Sequence, residues 1–129
     1  MPNELTWLGW AVVLGLAHVL FAAALGTWQR GLRWNVGNRD GEPKSLTGWA
    51  ARAQRANRNF LETFAFFAAA VLAVVLAHKS NASSVLGAQA YFWARVVYLP
   101  LYVAGIPYLR TLVWAVSLWG IVRVLEAML

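Results

Sequence analysis

Four long apolar stretches, separated by shorter polar ones, divide the 129-residue chain. The first covers residues 5–28, and at ~1.5 Å per helical residue it is long enough to cross the ~30 Å hydrocarbon core of a bilayer. The same pattern predicts three further helices, over residues 47–78, 85–105 and 107–129. The sequence therefore predicts an all-α fold, an integral membrane four-helix bundle that occupies residues 1–129 as one domain.

A polar segment of residues 30–48, rich in Gly, Asn, Asp and Pro, joins the first two predicted helices. Its composition predicts a loop, with turns at residues 38–43. Seven of the eleven Lys and Arg residues lie between Arg30 and Arg58, and none precedes Arg30. By the positive-inside rule this loop is cytoplasmic, and four spans then place both termini on the outer side.

The composition agrees with a membrane protein and excludes several functions. Charged residues make up 12% of the chain, against ~25% in soluble proteins, and hydrophobic residues make up 60%. The net charge of +6 is better explained by topology than by nucleic-acid binding, which needs a soluble basic face. With no Cys, the chain has no disulfide framework, thiolate metal site or cysteine nucleophile. Any thiol chemistry must therefore use a thiol from another molecule.

The first predicted helix carries His18 near its middle, where an ionisable group in lipid is a functional candidate. A structural histidine held by a hydrogen bond is the favoured interpretation. The helix is not predicted to be a signal peptide, because Asn3 and Glu4 stand where basic residues belong and the apolar run is too long. Trp residues flank the predicted spans as in interfacial belts: Trp7, Trp10, Trp28, Trp34 and Trp49.

The second predicted helix carries one polar face. Arg52, Arg55, Asn59 and Glu62 follow each other at spacings of three, four and three residues, which at about 100° per residue aligns them. A solvated face outside the membrane explains Arg52 and Arg55. It does not explain Glu62, because an almost purely hydrocarbon run follows and places Glu62 at membrane depth, inside the bundle or in a cavity.

The third predicted helix supplies a second polar face, formed by Arg95, Tyr98 and Tyr102. Arg95 lies roughly 15 Å of helix from Gly105, deep enough to require a partner. A purely structural hypothesis pairs it with Glu62 in a buried ion pair that fixes helix packing.

The predicted arginines of this region outnumber its carboxylates, so one ion pair does not neutralise them. Arg55, Arg58, Arg95 and Arg110 are predicted to face inward or to guard the cytoplasmic mouth, and Glu62 is the one membrane-depth carboxylate near them. Because arginine suits forked recognition of carboxylates and phosphates, the excess of cations predicts an anionic ligand that enters from the cytoplasm. Glu62 would suit an ammonium group on the same ligand.

The run R-A-N-R-N-F-L-E-T, residues 55–63, resembles the second-helix signature of the membrane-associated proteins in eicosanoid and glutathione metabolism (MAPEG). The family includes microsomal glutathione transferases and the leukotriene and prostaglandin synthases. The four-span layout, the basic first loop, and an Arg with a Tyr seven residues later, Arg95 and Tyr102, extend the resemblance over essentially the whole chain.

The resemblance implies a homotrimer of four-helix subunits that binds glutathione as co-substrate between neighbouring subunits, toward the cytoplasmic side. It implies ligand contacts on three helices. These are Arg55, Asn59 and Glu62 from the second helix, Arg95 and Tyr102, with Tyr98 on the same face, from the third helix of the neighbour, and Arg30 or Arg33 at the end of the first.

Arg110 resembles the arginine that the family uses beside the sulfur of glutathione, and Thr111 is a candidate hydrogen-bond donor to that sulfur. A thiol with a pKa of ~8.5 is about 3% thiolate at neutral pH. Lowering that pKa by ~2 units takes ~2.7 kcal/mol, which a partly desolvated arginine can supply. The alternative is that Arg110 is a positive-inside anchor at the membrane surface.

Three departures distinguish the chain from specialised family members. Ala65 and Phe66 stand in the region where a proline commonly follows the glutamate, and Trp114 stands where some prostaglandin synthases have Tyr. The connection formed by residues 105–111 aligns only with a gap. These departures favour a generic bacterial member, in the inner membrane, over an eicosanoid synthase.

Two classes of function stay open. The first is a transferase or peroxidase that uses glutathione on hydrophobic small-molecule electrophiles or lipid peroxides. The second is a non-catalytic protein of the same fold that uses the polar stripe for trimer assembly or for another anion. A transporter is disfavoured because four short helices offer no inverted repeat or broken-helix pair.

Overall fold

A computed structural model describes residues 3–38, 40–41 and 45–129, apart from the side chain of Asn35. Within these ranges the chain is helical and has no strand. The helices are α1 (Asn3–Arg30), α2 (Leu32–Val36), α3 (Gly48–Leu76), α4 (Ala82–Ala104) and α5 (Pro107–Glu126). The four long helices correspond to the four that the sequence predicts, and α2 is an addition.

The short helix α2 corrects the prediction of an irregular loop over residues 30–48. Gly31 has a φ of 95°, a conformation that suits glycine, and it breaks the chain between α1 and α2. Gly37 then ends α2. The turns predicted at residues 38–43 fall partly outside the described residues.

The helix ends differ slightly from the predicted ones. α1 extends two residues further at each end, and α5 ends at Glu126 rather than at the last residue. α4 begins inside the predicted polar turn of residues 79–84, because Asn81 and Ser84 form a capping box. Asn81 Oδ1 accepts a hydrogen bond from the Ser84 amide, and Ser84 Oγ accepts one from the Asn81 amide, each at 2.9 Å.

Three of the long helices, α1, α3 and α5, are long and apolar enough to cross a membrane, so the chain is an integral membrane protein. α4 is not among them, although it is 23 residues long. Its polar side chains, including Gln89 and Arg95, lower its apolar character. A fourth span and the sidedness of the termini therefore stay predictions.

The packed interior forms around one face of α3. Phe60, Phe67 and Val71 are fully buried there, and the neighbouring small residues let α1 and α4 approach. On α4, the ring of Tyr91 stacks on Phe67 with 4.0 Å between centroids, and its hydroxyl lies 3.0 Å from Thr63 Oγ1. This hydrogen bond satisfies two buried hydroxyls that would otherwise be costly in an apolar interior.

Polar contacts tie the helix ends together. At one end, Glu4 of α1 is buried and accepts hydrogen bonds from the hydroxyls of Ser80 and of Ser84, the latter at 2.8 Å. At the basic end, the Gln29 side chain donates to Thr47 O at 2.8 Å and accepts from the Thr47 amide at 2.9 Å. Both ends of α1 are thus fixed against the elements that follow it.

α4 and α5 approach most closely at a pair of glycines. A Cβ on Gly87 would lie 2.5 Å from the carbonyl oxygen of Gly120, and a Cβ on Gly120 would lie 2.6 Å from that of Gly87. Both distances are well inside van der Waals contact, and the obstructing atoms belong to the backbone. Only glycine at these positions permits this helix spacing.

We expect Gly87→Ala to destabilise the protein by about 1–3 kcal/mol, because the added methyl group forces α4 and α5 apart. Thermal unfolding in detergent, followed by circular dichroism, measures the change. Gly9→Ala is the matched control, since a Cβ at Gly9 meets no described atom within 4 Å. It should be neutral or stabilising by ~0.5–1 kcal/mol. Equal midpoints for the two variants would contradict the close packing.

Candidate functional site

Arg95 is the centre of the polar site. It is fully buried, and its Nη1 donates a hydrogen bond to Asn59 Oδ1 at 2.9 Å. Its guanidinium carbon lies 4.2 Å from the centroid of the Tyr98 ring and 5.5 Å from that of Phe60. Buried cation–π contacts of this kind stabilise the charge where water does not reach.

The ion pair between Glu62 and Arg95 that the sequence suggested is absent. Asn59 lies one turn before Glu62 on α3 and faces α4, so it takes the position next to Arg95. Glu62 is exposed and forms no ion pair with any residue in the described ranges. The purely structural interpretation of Glu62 as a buried counter-ion is therefore wrong for a single chain.

A row of stacked side chains connects Arg95 to α5. The Tyr98 and Tyr102 rings lie 5.5 Å apart, and the guanidinium carbon of Arg110 lies 4.4 Å from the centroid of the Tyr102 ring. The spacing of the third predicted helix therefore does align Arg95, Tyr98 and Tyr102 on one face. α3, α4 and α5 each contribute polar residues to the same region.

Two adjoining cavities lie along this row. The sulfur-end cavity, named for the sulfur that the family resemblance would place beside Arg110, has a volume of about 320 Å³. It is lined by Asn59, Tyr98, Tyr102, Arg110, Thr111 and Trp114. The charged-end cavity has a volume of about 210 Å³ and is lined by Arg55, Arg58, Asn59, Glu62 and Tyr102. Asn59 and Tyr102 line both, so the two cavities adjoin and are described together as one site.

Positive charge dominates this site. Arg55 and Arg58 stand at the charged end and Arg110 at the other, while Glu62 is the only carboxylate among the described residues that line either cavity. Behind them, Arg95 Nε and Nη2 are buried and have no hydrogen-bond partner in the part of the chain that the structure describes. The arginines that line the cavities, Arg55, Arg58 and Arg110, fit a site for an anion.

A single chain already brings together residues that the resemblance divides between subunits. The resemblance implies that Arg95 and Tyr102 come from the neighbour of the subunit that supplies Asn59. Within one chain, however, Arg95 is hydrogen-bonded to Asn59, and Tyr102 lines both cavities with it. The polar faces of α3 and α4 meet inside a single chain because those helices pack directly against each other.

The basic residues of the first loop lie elsewhere. Arg30 is half-buried at the end of α1 and Arg33 is exposed on α2. Neither residue is among the described residues that line the two cavities. A single chain therefore does not bring the predicted first-helix contact to the site.

Thr111 is placed at the sulfur-end cavity, but its hydroxyl is directed elsewhere. Thr111 Oγ1 donates to Pro107 O, one turn earlier on α5, at 3.2 Å. This bond from a helical Thr to the carbonyl four residues before is common. In this structure the Thr111 hydroxyl is therefore not oriented to donate the predicted hydrogen bond to a sulfur atom.

Two further residues differ from their predicted roles. His18 is buried and stacks on Phe60 at 4.8 Å, yet neither ring nitrogen has a hydrogen-bond partner among the described residues, so the expected hydrogen bond is absent. Arg52 is half-buried rather than solvated, because its Nε donates to Val103 O at 2.7 Å. It thereby satisfies a carbonyl at the C-terminus of α4, where a cation is favourable.

The structure adds Trp114 to the site residues that the sequence predicts. Trp114 stands four residues after Arg110, shares its helix face and lines the sulfur-end cavity. Arg58, which the sequence predicts to face inward or to lie at the cytoplasmic mouth, lines the charged-end cavity.

The chain matches a known protein family. A model of the MAPEG family matches residues 7–125, a range that includes all the described residues that line the two cavities. The chain belongs to the MAPEG family. No curated protein and no solved structure matches it significantly. Membership in the MAPEG family identifies a membrane protein of the class that serves glutathione and eicosanoid metabolism.

We expect Asn59→Ala to destabilise this MAPEG protein by about 1–3 kcal/mol, because Arg95 loses the one acceptor that it has within the described chain. Thermal unfolding in detergent measures the loss. Asn57→Ala is the matched control, since Asn57 Oδ1 is buried without a partner two residues earlier on the same helix. Loss of stability in both variants alike would contradict a specific role for the Asn59 and Arg95 contact.

Proposed function

We propose that this protein is a membrane-bound glutathione-dependent transferase or peroxidase that acts on apolar electrophiles. The observation that carries the proposal is the pair of adjoining cavities, with arginines at both ends and one carboxylate among their described lining residues. Glutathione carries two carboxylates, one ammonium and one thiol. Its charges are complementary to those of the site, and its thiol supplies the nucleophile that a chain without cysteine lacks.

In the proposed binding mode the peptide charges occupy the charged-end cavity. Arg55 and Arg58 pair with the two carboxylates, since forked charge-assisted hydrogen bonds are the geometry that arginine favours. Glu62 binds the ammonium. Asn59, held by Arg95, offers its amide to the peptide backbone between these ends.

The thiol then lies in the sulfur-end cavity beside Arg110. Stacking on Tyr102 holds the half-buried guanidinium in place. A cation there stabilises the thiolate over the thiol, and a shift of ~2 pKa units corresponds to ~2.7 kcal/mol. In the transferase reaction the thiolate forms a carbon–sulfur bond to an electrophile, and a leaving group departs with the bonding electrons.

A homotrimer is part of the proposal. Arg55, Arg58 and Glu62 are exposed in a single chain, as are the neighbouring Leu61 and Phe66. Exposed charges beside apolar residues at membrane depth are stabilised when a second subunit covers them. The neighbouring subunit would also bring its Arg30 or Arg33 to the site, which one chain alone does not do.

The proposed location is a bacterial inner membrane, with the basic loop of residues 30–48 on the cytoplasmic side. The charged-end cavity lies near the first half of α3, which follows that loop. Glutathione would enter from the cytoplasm, and the apolar electrophile from the lipid.

We expect glutathione to give a saturable thiolate signal in the ultraviolet difference spectrum of the purified protein, and Arg110→Ala to abolish it. Without the guanidinium, the bound thiol returns to a pKa near ~8.5, so its thiolate fraction at neutral pH falls to about 3%. The charged-end cavity is unchanged in this variant, so glutathione should still bind. Isothermal titration calorimetry measures that binding.

The control for this experiment is Arg123→Ala, which removes an arginine of the same helix that pairs with Glu126 away from both cavities. It should keep the thiolate signal. A thiolate signal that survives in Arg110→Ala refutes the role of Arg110. No glutathione binding to the unaltered protein refutes the proposed function and favours a non-catalytic role of the polar stripe in assembly.

We expect two defective variants to complement each other in mixed trimers if each site uses two subunits. One chain carries Arg110→Ala and the other carries Arg30→Ala together with Arg33→Ala. Either alone should give little thiolate, whereas random mixing restores about a quarter of the sites, since a site then needs one subunit of each kind in the right order. The difference spectrum of co-expressed, co-purified chains measures this. No recovery would mean that each site is complete within one chain.

A further inference from the structure

An apolar groove lies on a different side of α4 from the two polar cavities. The α4 groove, as we name it, has a volume of about 410 Å³ and is lined by Phe21, Trp49, Leu99, Pro100, Val103 and Ala104. None of these described lining residues is charged, and none lines the sulfur-end or the charged-end cavity. A ligand in the α4 groove would therefore leave the polar site free.

The groove opens toward the membrane interface at the basic end of the protein. Trp49 stands in the first turn of α3 and Ala104 in the last turn of α4. Phe21 lies nine residues before the end of α1, or roughly 14 Å deeper along that helix. The groove thus runs from the level of an interfacial tryptophan into the hydrocarbon region.

Arg52 stands at the interfacial end of this groove. It follows Trp49 by one turn on α3, and its Nε donates to the carbonyl of Val103, a groove residue. Its guanidinium lies against Gly105, 3.8 Å from the position that a Cβ there would take. Gly105 has a φ of 81° and ends α4, so the chain turns away and leaves room for the guanidinium.

This contact orients Arg52 without using all of its donors. Its two terminal nitrogens form no hydrogen bond within the described ranges and are not buried, whereas Arg95 Nη2 is buried. A guanidinium held by one nitrogen and free at the other two is oriented for an anion, because little side-chain freedom remains to be lost on binding.

We propose that the α4 groove binds an anionic phospholipid, with one acyl chain in the groove and the phosphate at Arg52. A soluble anion would leave the apolar groove unused, and a zwitterionic lipid would bring no net charge to Arg52. Among the described basic residues, Arg30, Arg33, Arg55 and Arg58 lie toward the same end of the helices as Arg52, which attracts anionic headgroups to this end. The proposal is independent of glutathione binding, because the two sites share no lining residue.

Native mass spectrometry of the purified protein in detergent tests the proposal. Phosphatidylglycerol and phosphatidylcholine with identical acyl chains are added at equal concentrations, and the ratio of their adducts is measured. The unaltered protein should prefer phosphatidylglycerol, and Arg52→Gln should reduce that preference about fivefold, the scale of one basic residue at an anionic surface.

Two further variants separate charge from shape. Ala104→Trp places a larger side chain in the groove, keeps Arg52 in the sequence, and should reduce the adducts of both lipids. Lys79→Gln removes a cation that lies at the other end of the helices, where it bonds to Met128 O, and should leave the preference unchanged. Undiminished adducts of both lipids on Ala104→Trp would place the lipid elsewhere and overturn the proposal.

Three other results would also overturn it. Equal adducts of the two lipids on the unaltered protein would show that Arg52 does not select charge. Displacement of phosphatidylglycerol by inorganic phosphate would identify a site for a soluble anion. Absence of lipid adducts, together with dissociation of the oligomer in Ala104→Trp, would mean that a second copy of the chain fills the groove. Since Arg52→Gln also removes a helix cap, circular dichroism confirms that each variant is folded.

Discussion

A guanidinium buried in an apolar interior has to be compensated by its surroundings, and this constraint organises the site around Arg95. Water is excluded, and within the described chain no carboxylate comes near enough to pair with it. An amide oxygen and two aromatic faces take the place of a counter-ion. They stabilise the cation but leave two nitrogens unsatisfied. The unsatisfied donors lie behind cavities that carry still more positive charge.

The same constraint explains why three helices meet at the site. α4 supplies the buried cation and the tyrosines that shield it, α3 supplies the amide, and α5 supplies the arginine that stacks on the last tyrosine. The contact between Arg95 and Asn59 joins α4 to α3, and the contact between Arg110 and Tyr102 joins α5 to α4. Helix packing and site geometry therefore depend on the same residues. A substitution at Asn59 or Tyr102 therefore affects stability as well as any ligand.

The helices and the polar faces were predictable from sequence, because helical periodicity places Arg95, Tyr98 and Tyr102 in line whatever surrounds them. The partners across helices were not. Whether Asn59 or Glu62 contacts Arg95 depends on the rotation of α3 about its own axis. That rotation is set by how α3 packs against the neighbouring helices. Arg52 and His18 were misjudged for the same reason. The short helix α2 was missed because its five residues carry too little pattern to distinguish a helical turn from a loop.

The paired glycines of α4 and α5 bear on how the site can move. Gly87 and Gly120 hold the two helices together far from Arg110, and the tight connection at Gly105 joins them at the other end. A helical hairpin fixed at both ends moves as a rigid unit. Five of the six described residues that line the sulfur-end cavity belong to this hairpin, and Asn59 on α3 is the sixth. Widening of that cavity to admit a bulky molecule is therefore expected to come from displacement of α3 and not from separation of α4 and α5.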